Sequence, residues 1–330
     1  MEPNRRATIV DIASAVGVSR QTVSRAMNDM PGINAQTRQR VLDVARELGY
    51  RPSRFGRGLV KRGQHTVGLI VDNLTNPYYP ELAAAVVAHA AQLGWSVVLL
   101  DTSGIDDSPA FLAALAPQID VLIGYIKVEP DELERALPGV PVVGIDVDPT
   151  RARSGWGGVE FQLEPAVRAA VDRLQALGVR RPLMLDSSDP GQPSERARMI
   201  AQVWATHGVE MPVLDVEGQD AAAAEAATAA HFARVERADA IMAFNDYVAL
   251  GAMKTLRRRG IRVPDDVRVI GIDGLAAGTY TVPELSTLGV DMHAAADAAV
   301  SIARRLLEPE QSPGPRWARV GYRLMLRESA

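Results

Sequence analysis

Between Thr8 and Leu48 apolar residues return every three or four positions: Ile9, Ile12, Ala13 and Val16, then Val23, Ala26 and Met27, then Val41, Val44, Ala45 and Leu48. Residues at that spacing share one helical face, so the pattern predicts three short amphipathic helices. Thr8 is placed to cap the first, with Asp11 three residues on as a variant capping box. Gly17 suits the turn, Ser19 caps the second helix, and the third runs from about Asn34 to Leu48, ahead of Gly49 and Pro52. From Val67 the pattern changes. Short apolar runs ("TVGLIV", "SVVLL", "VLIGYI", "PVVGI", "PLMLD", "AIMAF", "VRVIGI") alternate with helical stretches near 80–93, 164–177, 194–207, 219–236 and 246–259. Unbroken apolar strands between amphipathic helices predict parallel sheets covered on both faces, here in two similar α/β halves. The segment "RVGYRLMLRESA" reads as a last strand.

Composition adds a division of charge. The chain has 330 residues, 47% hydrophobic and 23% charged, enough for two or three domains with real cores. Residues 1–64 hold 12 Lys and Arg against 5 Asp and Glu, a balance of +7; the remainder holds 24 against 35, a balance of −11. A basic head on an acidic body suggests that only the head meets a polyanion. No apolar run approaches the ~18 residues of a membrane span. The opening residues lack the apolar core of a secretion signal, and there are no cysteines, so the expectation is a cytoplasmic protein without a membrane partner.

Two helices joined by a glycine turn form a helix-turn-helix, whose second helix lies in the major groove of DNA. Arg20, Gln21, Ser24 and Arg25 are expected to point outward from that helix. Arginine donates twice to guanine, and glutamine pairs with adenine. In the body, polar residues stand where strands end: Asp72-Asn73, Asp101-Thr102, Lys127, Asp146, Asp186-Ser187, Asn245-Asp246 and Asp273. Taken singly these read as helix caps, Asp246 and Asp72 above all. As a set they fit a small-molecule cleft, because ligands of open α/β sheets bind beyond the carboxyl ends of strands. Carboxylates and amides suit a neutral, hydroxyl-rich ligand. There is no P-loop or GxGxxG, the five histidines are scattered, and no nucleophile elbow is present. No catalysis, metal or cofactor is expected.

"TIVDIASAVGVSRQTVSRAMN" followed by "TRQRVLDVARELGYRPSRFGRGLV" resembles the DNA-binding head of the LacI/GalR (lac repressor) family of bacterial transcription regulators, and the resemblance continues almost to the carboxyl terminus. It implies a head at 1–51, a hinge at 52–64 and an effector-binding, dimerising core at 65–330. The core would be periplasmic-binding-protein-like, with one subdomain of about 65–160 plus 291–315 and another of about 161–290 plus 316–330. By the same likeness Arg20, Gln21 and Arg25 fall at base-reading positions, and Thr22, Ser24 and Asn28 hold phosphates. Thr8, Ser19, Arg54 and Arg57 complete the DNA-binding set, and Leu59 matches the hinge leucine that wedges between base pairs. Gly56 and Gly58 depart from the family's alanine-rich hinge and disfavour helix there.

The implied effector contacts are Asn73, Tyr78, Tyr79, Lys127, Asp146, Arg196, Gln219, Asn245 and Asp273. Met199-Ile200, "GGVEFQLEP" and Gln219 depart from the family's pattern and point to an unusual sugar or polyol. The implied partners are a pseudo-palindromic operator, that effector and a second copy of the chain; no leucine heptad tail extends the dimer further. A repressor released by its effector, or a corepressor-dependent regulator, uses these same parts. A solute-binding protein would lack the basic head, and an enzyme on this fold would need a nucleophile paired with a base.

Overall fold

The computed structural model describes residues 8–27, 30–48, 64–105, 108–151, 155–187, 191–234 and 238–330. Asn28 and the expected hinge with Arg54, Arg57 and Leu59 lie outside the described residues.

The head consists of α1 (Ile9–Val16), α2 (Arg20–Met27) and α3 (Ala35–Glu47). Local chemistry sets each boundary. The Asp11 carboxylate accepts the Thr8 backbone N–H at 2.6 Å and the Thr8 hydroxyl at 2.7 Å, fixing the start of α1. Gly17 ends it with φ 73°, a left-handed conformation that glycine adopts at no steric cost. Ser19 accepts the Thr22 N–H at 3.0 Å, and Asn34 accepts the Thr37 N–H at 2.7 Å, capping α2 and α3. Ile12, Ala13, Val16, Val23, Ala26, Val41 and Ala45 form the core of the head. Leu48, expected on that inner face, lies beyond the end of α3 and is exposed.

In the body the first lobe runs β1 (Thr66–Val71), α4 (Tyr78–Gln92), β2 (Ser96–Asp101), α5 (Ser108–Leu115), β3 (Val121–Gly124), α6 (Pro130–Ala136), β4 (Val142–Ile145) and β5 (Trp156–Gln162). The second runs α7 (Glu164–Ala176), β6 (Pro182–Asp186), α8 (Glu195–Thr206), β7 (Val213–Asp215), α9 (Ala221–Arg234), β8 (Ala240–Ala243), α10 (Asp246–Arg258), β9 (Arg268–Asp273) and β10 (Ser286–Val290). The chain then returns through α11 (Met292–Leu307), which packs on α4, β4 and β5, and ends in β11 (Trp317–Met325).

The seven expected strands are present, and the apolar pattern passes over β5, β7 and β10. β5 is broken by Gly157-Gly158, where a side chain would collide with Ile302 and Trp317. β10 begins with Ser286 and Thr287, fully buried but hydrogen-bonded to Ser329 and Asp246. α5, α6 and α11 also go beyond the expected helices. Alanines 295, 296, 299 and 303 form the buried side of α11, a weak signal in the sequence.

The strand order is β2-β1-β3-β4-β5-β11-β10-β9-β8-β6-β7, and β11 belongs to both lobes. Residues 317–321 pair in parallel with β5, and residues 322–325 pair antiparallel with β10. The expected boundary gave 316–330 wholly to the second lobe; the strand divides between the two instead. Every other pairing is parallel, so the strands of the two lobes run in opposite senses. Gln162, at the end of β5, stands opposite Gly321, and Val290, at the end of β10, stands opposite Tyr322. The carboxyl ends of both sheets therefore meet at the middle of β11.

Close backbone packing supports this arrangement. Gly124 closes β3 at φ 138°, and a Cβ there would run into the Ile70 carbonyl of β1. Gly124→Ala is expected to destabilise the body by about 2–4 kcal/mol through overpacking and backbone strain, read as a lower urea midpoint with an unchanged slope.

Candidate functional site

On α2, Arg20 and Gln21 are exposed, while Thr22, Ser24 and Arg25 are half-buried. Arg25 differs from the outward pose expected of it. Its guanidinium donates to the Pro31 carbonyl at 2.7 Å, and Arg38 donates to the Met30 carbonyl at 3.1 Å. Among the described residues those carbonyls have no backbone partner, and the two arginines satisfy them. Ser19 and Thr22 share a hydroxyl contact of 2.9 Å, and Thr8 is engaged with Asp11, so all three serve the helix starts.

In the body, the ends of the strands deliver a mixed polar and aromatic cluster. Beyond β1, Tyr78 and Tyr79 open α4, and Tyr125 follows β3 directly. The three rings stack edge to face with centroids 5.3–6.1 Å apart, and the Tyr78 and Tyr125 hydroxyls are hydrogen-bonded at 2.5 Å. Burial pushes the Tyr78 and Tyr125 phenols well above their ordinary pKa, so both remain neutral. Lys127 donates to Asp72 at 2.6 Å, and the Tyr79 hydroxyl reaches the same carboxylate at 3.4 Å. Asp72 is thus an ion-pair partner rather than a cap. Asn73 accepts from the Thr75 backbone and hydroxyl, a local turn that uses its side-chain oxygen.

From the other lobe, Asp186 at the end of β6 accepts the Ser194 hydroxyl at 2.6 Å and its N–H at 2.8 Å. Ser194 in turn caps α8 through the Ala197 N–H at 3.1 Å, which fixes the first turn that carries Arg196. Arg196 lies over the Phe244 ring at 5.0 Å, donates to the Phe244 carbonyl at 2.9 Å and faces Asp273 at 3.8 Å. Burial opposes its charge, but Tyr322, Asp273, Asp146 and Tyr78 around it more than offset that, and its pKa is raised. Asp146, across in the first lobe, is open to solvent yet enclosed enough that desolvation raises its carboxyl pKa, with Arg196 pulling it down. Arg196 therefore senses groups of both lobes.

Asp146 and Asp273 share a backbone peculiarity. Their φ values are 57° and 127°, and they are the non-glycine residues with positive φ among the described residues. Such conformations cost about 1–3 kcal/mol each and cluster at functional sites. Asp273 is only 3% exposed, and its pKa is raised well above the ordinary value by burial. Asn245, not Asp246, caps α10: it accepts the Val248 N–H at 2.8 Å and donates to the Gln219 carbonyl at 3.2 Å. Asp246 is instead a buried anchor, accepting the Thr287 hydroxyl at 2.6 Å and the Leu275 N–H at 2.7 Å, and so it holds the loop that follows Asp273. Of the expected effector contacts, Tyr78, Tyr79, Asp146, Arg196 and Asp273 form one electrostatically connected group. Lys127 and Asn73 lie at its edge with local partners, and Asn245 and Gln219 are tied to each other. The expectations passed over Tyr125 and Tyr322. Tyr125 had a usable signal in its place at the end of a strand; Tyr322 had none, because it sits mid-strand.

These two features, a helix-turn-helix and a two-lobed α/β body with a polar inter-lobe site, define a class of regulator that joins a DNA-reading head to a solute-binding body. Residues 8–53 match the model of the bacterial regulatory proteins, lacI family, and residues 171–330 match the periplasmic binding protein-like domain. The chain is 30% identical over 284 residues to the ribose operon repressor of Halalkalibacterium halodurans, covering 85% of this chain and 84% of that one. A lacI-family regulator from Arthrobacter sp. FB24, solved in complex with lactose, superposes with a TM-score of 0.74 at 32% identity, covering 81% of this chain and 99% of that chain. The lac repressor dimer bound to operator and an anti-inducer gives 0.76 at 25% identity, covering 98% and 99%. The chain belongs to the lacI family of bacterial regulatory proteins and is a DNA-binding transcriptional regulator.

The buried anchor yields a pH test. Desolvation raises the Asp246 pKa to about 6, above its unfolded value, so the folded state binds the proton more tightly. Asp246 therefore contributes stability that is full below pH ~4 and is lost as the pH rises to about 6. Asp246→Asn is expected to flatten the decline in stability across that window relative to the wild type, as followed by urea titrations at pH 4, 5, 6 and 7.

Proposed function

We propose that the protein is a homodimeric repressor that holds a pseudo-palindromic operator with its paired heads and releases it when a small sugar or polyol occupies the inter-lobe cleft. It regulates transcription rather than catalysing a reaction. The observation that carries this reading is the pairing, on one chain, of an exposed Arg20-Gln21 recognition surface with the Arg196–Asp273–Asp146 cluster. The relatives support it. One is named for the ribose operon, another solved relative holds lactose, and the lac repressor structure is a dimer on its operator. A solute-binding protein would have no use for the DNA-reading head.

In this reading Arg20 and Gln21 read bases, while Thr8, Ser19, Thr22, Ser24 and Asn28 hold the backbone with Arg54 and Arg57, and Leu59 wedges into the minor groove. Arg25 contributes by fixing the turn before α3. In the cleft, Arg196 and Asp146 meet the effector's hydroxyls, Tyr78 and Tyr79 supply apolar faces for its ring, and Asp273 orients Arg196. Asn73, Lys127, Gln219 and Asn245 line the margins. Effector binding needs to couple to operator binding by only ~1–3 kcal/mol to shift occupancy substantially.

Arg20→Ala is expected to relax base preference at one symmetric pair of operator positions, at about 1–3 kcal/mol per half-site. Binding of singly substituted duplexes by fluorescence anisotropy reads this directly, and unchanged preference at every position removes Arg20 from base reading. Arg196→Ala is expected to keep operator affinity and to lose release by the effector; a normal response in the same assay places the effector elsewhere.

A further inference from the structure

Tyr322 occupies the point at which β11 leaves one sheet for the other. Gly321 pairs with the end of β5, and Tyr322 pairs with the end of β10. Its ring packs edge-on against Phe161 at 5.9 Å, and the residue is only 8% exposed. Arg196, Asp273 and Asp146 all lie within electrostatic reach of its phenol, as do Tyr78 and Tyr125. It is thus a polar group from the shared strand that neighbours functional groups of both lobes.

Its hydroxyl differs from the other phenols of the cleft. Tyr78 and Tyr125 bond to each other, and Tyr79 reaches Asp72. Among the described residues, the Tyr322 hydroxyl makes no hydrogen bond. The residue is largely buried, but its oxygen is not among the fully enclosed polar atoms that lack a partner, so the hydroxyl keeps accessible surface from which to meet one. Two of its neighbours already have partners of their own: Arg196 bonds to the Phe244 carbonyl and faces Asp273, and Asp246 holds Thr287 and Leu275.

We propose that the Tyr322 hydroxyl is a direct hydrogen-bonding contact for the effector, meeting one hydroxyl of a neutral, polyhydroxylated molecule held beside Arg196. This rests on the cleft reading given above and adds a residue to it from the one strand that both lobes share. A phenol both donates and accepts, so it matches a sugar hydroxyl in either sense. Three carboxylates, Asp273, Asp146 and Asp246, against one arginine around it favour an uncharged ligand over an anionic one. Because residues 317–321 and 322–325 of β11 are held by different lobes, a ligand gripped at Tyr322 acts on the element that links them.

Tyr322→Phe removes the oxygen and keeps the ring on Phe161. Calorimetric titrations of the full-length wild-type and Tyr322→Phe proteins would use lactose, D-ribose, D-galactose, cellobiose and mannitol, with thermal melting of each unliganded protein as the check on folding. For the compound that binds the wild type most tightly, Tyr322→Phe is expected to raise Kd by about 5- to 10-fold, the effect of one neutral hydrogen bond. A monodeoxy series of that compound then locates the contact: one deoxy analogue weakens binding to the wild type but not further to Tyr322→Phe. Equal Kd values in the two proteins, or a deoxy series with the same losses in both, would overturn the Tyr322 contact while leaving the cleft as the effector site. If the wild type binds none of the five compounds, the polyhydroxylated effector falls, and the Tyr322 contact falls with it.

Discussion

The body depends on one change of partner within a single strand. β11 runs parallel to β5 over 317–321 and antiparallel to β10 over 322–325. Because the strands within each lobe are parallel to one another, this single antiparallel junction makes the two sheets run in opposite senses. Their carboxyl ends then meet, and the polar residues that follow those ends come from two directions onto one site. Had β11 paired in parallel with both neighbours, the two sets of strand ends would share one edge of a continuous sheet, and Arg196 and Asp146 would have no reason to be neighbours.

Around that junction, stability and function draw on the same residues. Asp246 is buried at the start of α10 and holds the Leu275 N–H and the Thr287 hydroxyl. Gly271 leaves room for it, since a Cβ at that position would collide with its carboxylate. The loop that Asp246 anchors follows Asp273, whose positive φ aims its carboxylate at Arg196. At the start of α8, Ser194, held by Asp186 from the end of β6, fixes the first turn that carries Arg196. The arginine is thus positioned by buried and part-buried hydrogen bonds among its supporting residues, the arrangement a preorganised binding group needs.

The parts of this molecule that were legible in its sequence are those whose causes are local. Thr8 with Asp11, Gly17 and Ser19 announce the head because caps and turns are decided by neighbours in the chain. The seven apolar runs announce parallel strands for the same reason. β5 was hidden because its glycines serve contacts with Ile302 and Trp317, far off in sequence. β10 was hidden because its buried Ser286 and Thr287 are polar until their partners are known. Asn245 took the capping role expected of Asp246, since either can cap a helix and only the tertiary neighbours Thr287 and Leu275 draw Asp246 inward. Arg25 turned away from its expected pose because the Pro31 carbonyl needed a donor. Tyr322 could not be singled out, because its meaning lies in the register of two other strands.

The most direct measurement of the central claim is selection of duplexes from a random pool by the full-length protein, repeated with a sugar that the protein binds. The account predicts that the pool converges on a twofold-related sequence, that retention falls as salt rises, and that the sugar releases the selected duplex. A pool that never converges, or a selected duplex held equally tightly with the sugar bound, would contradict it.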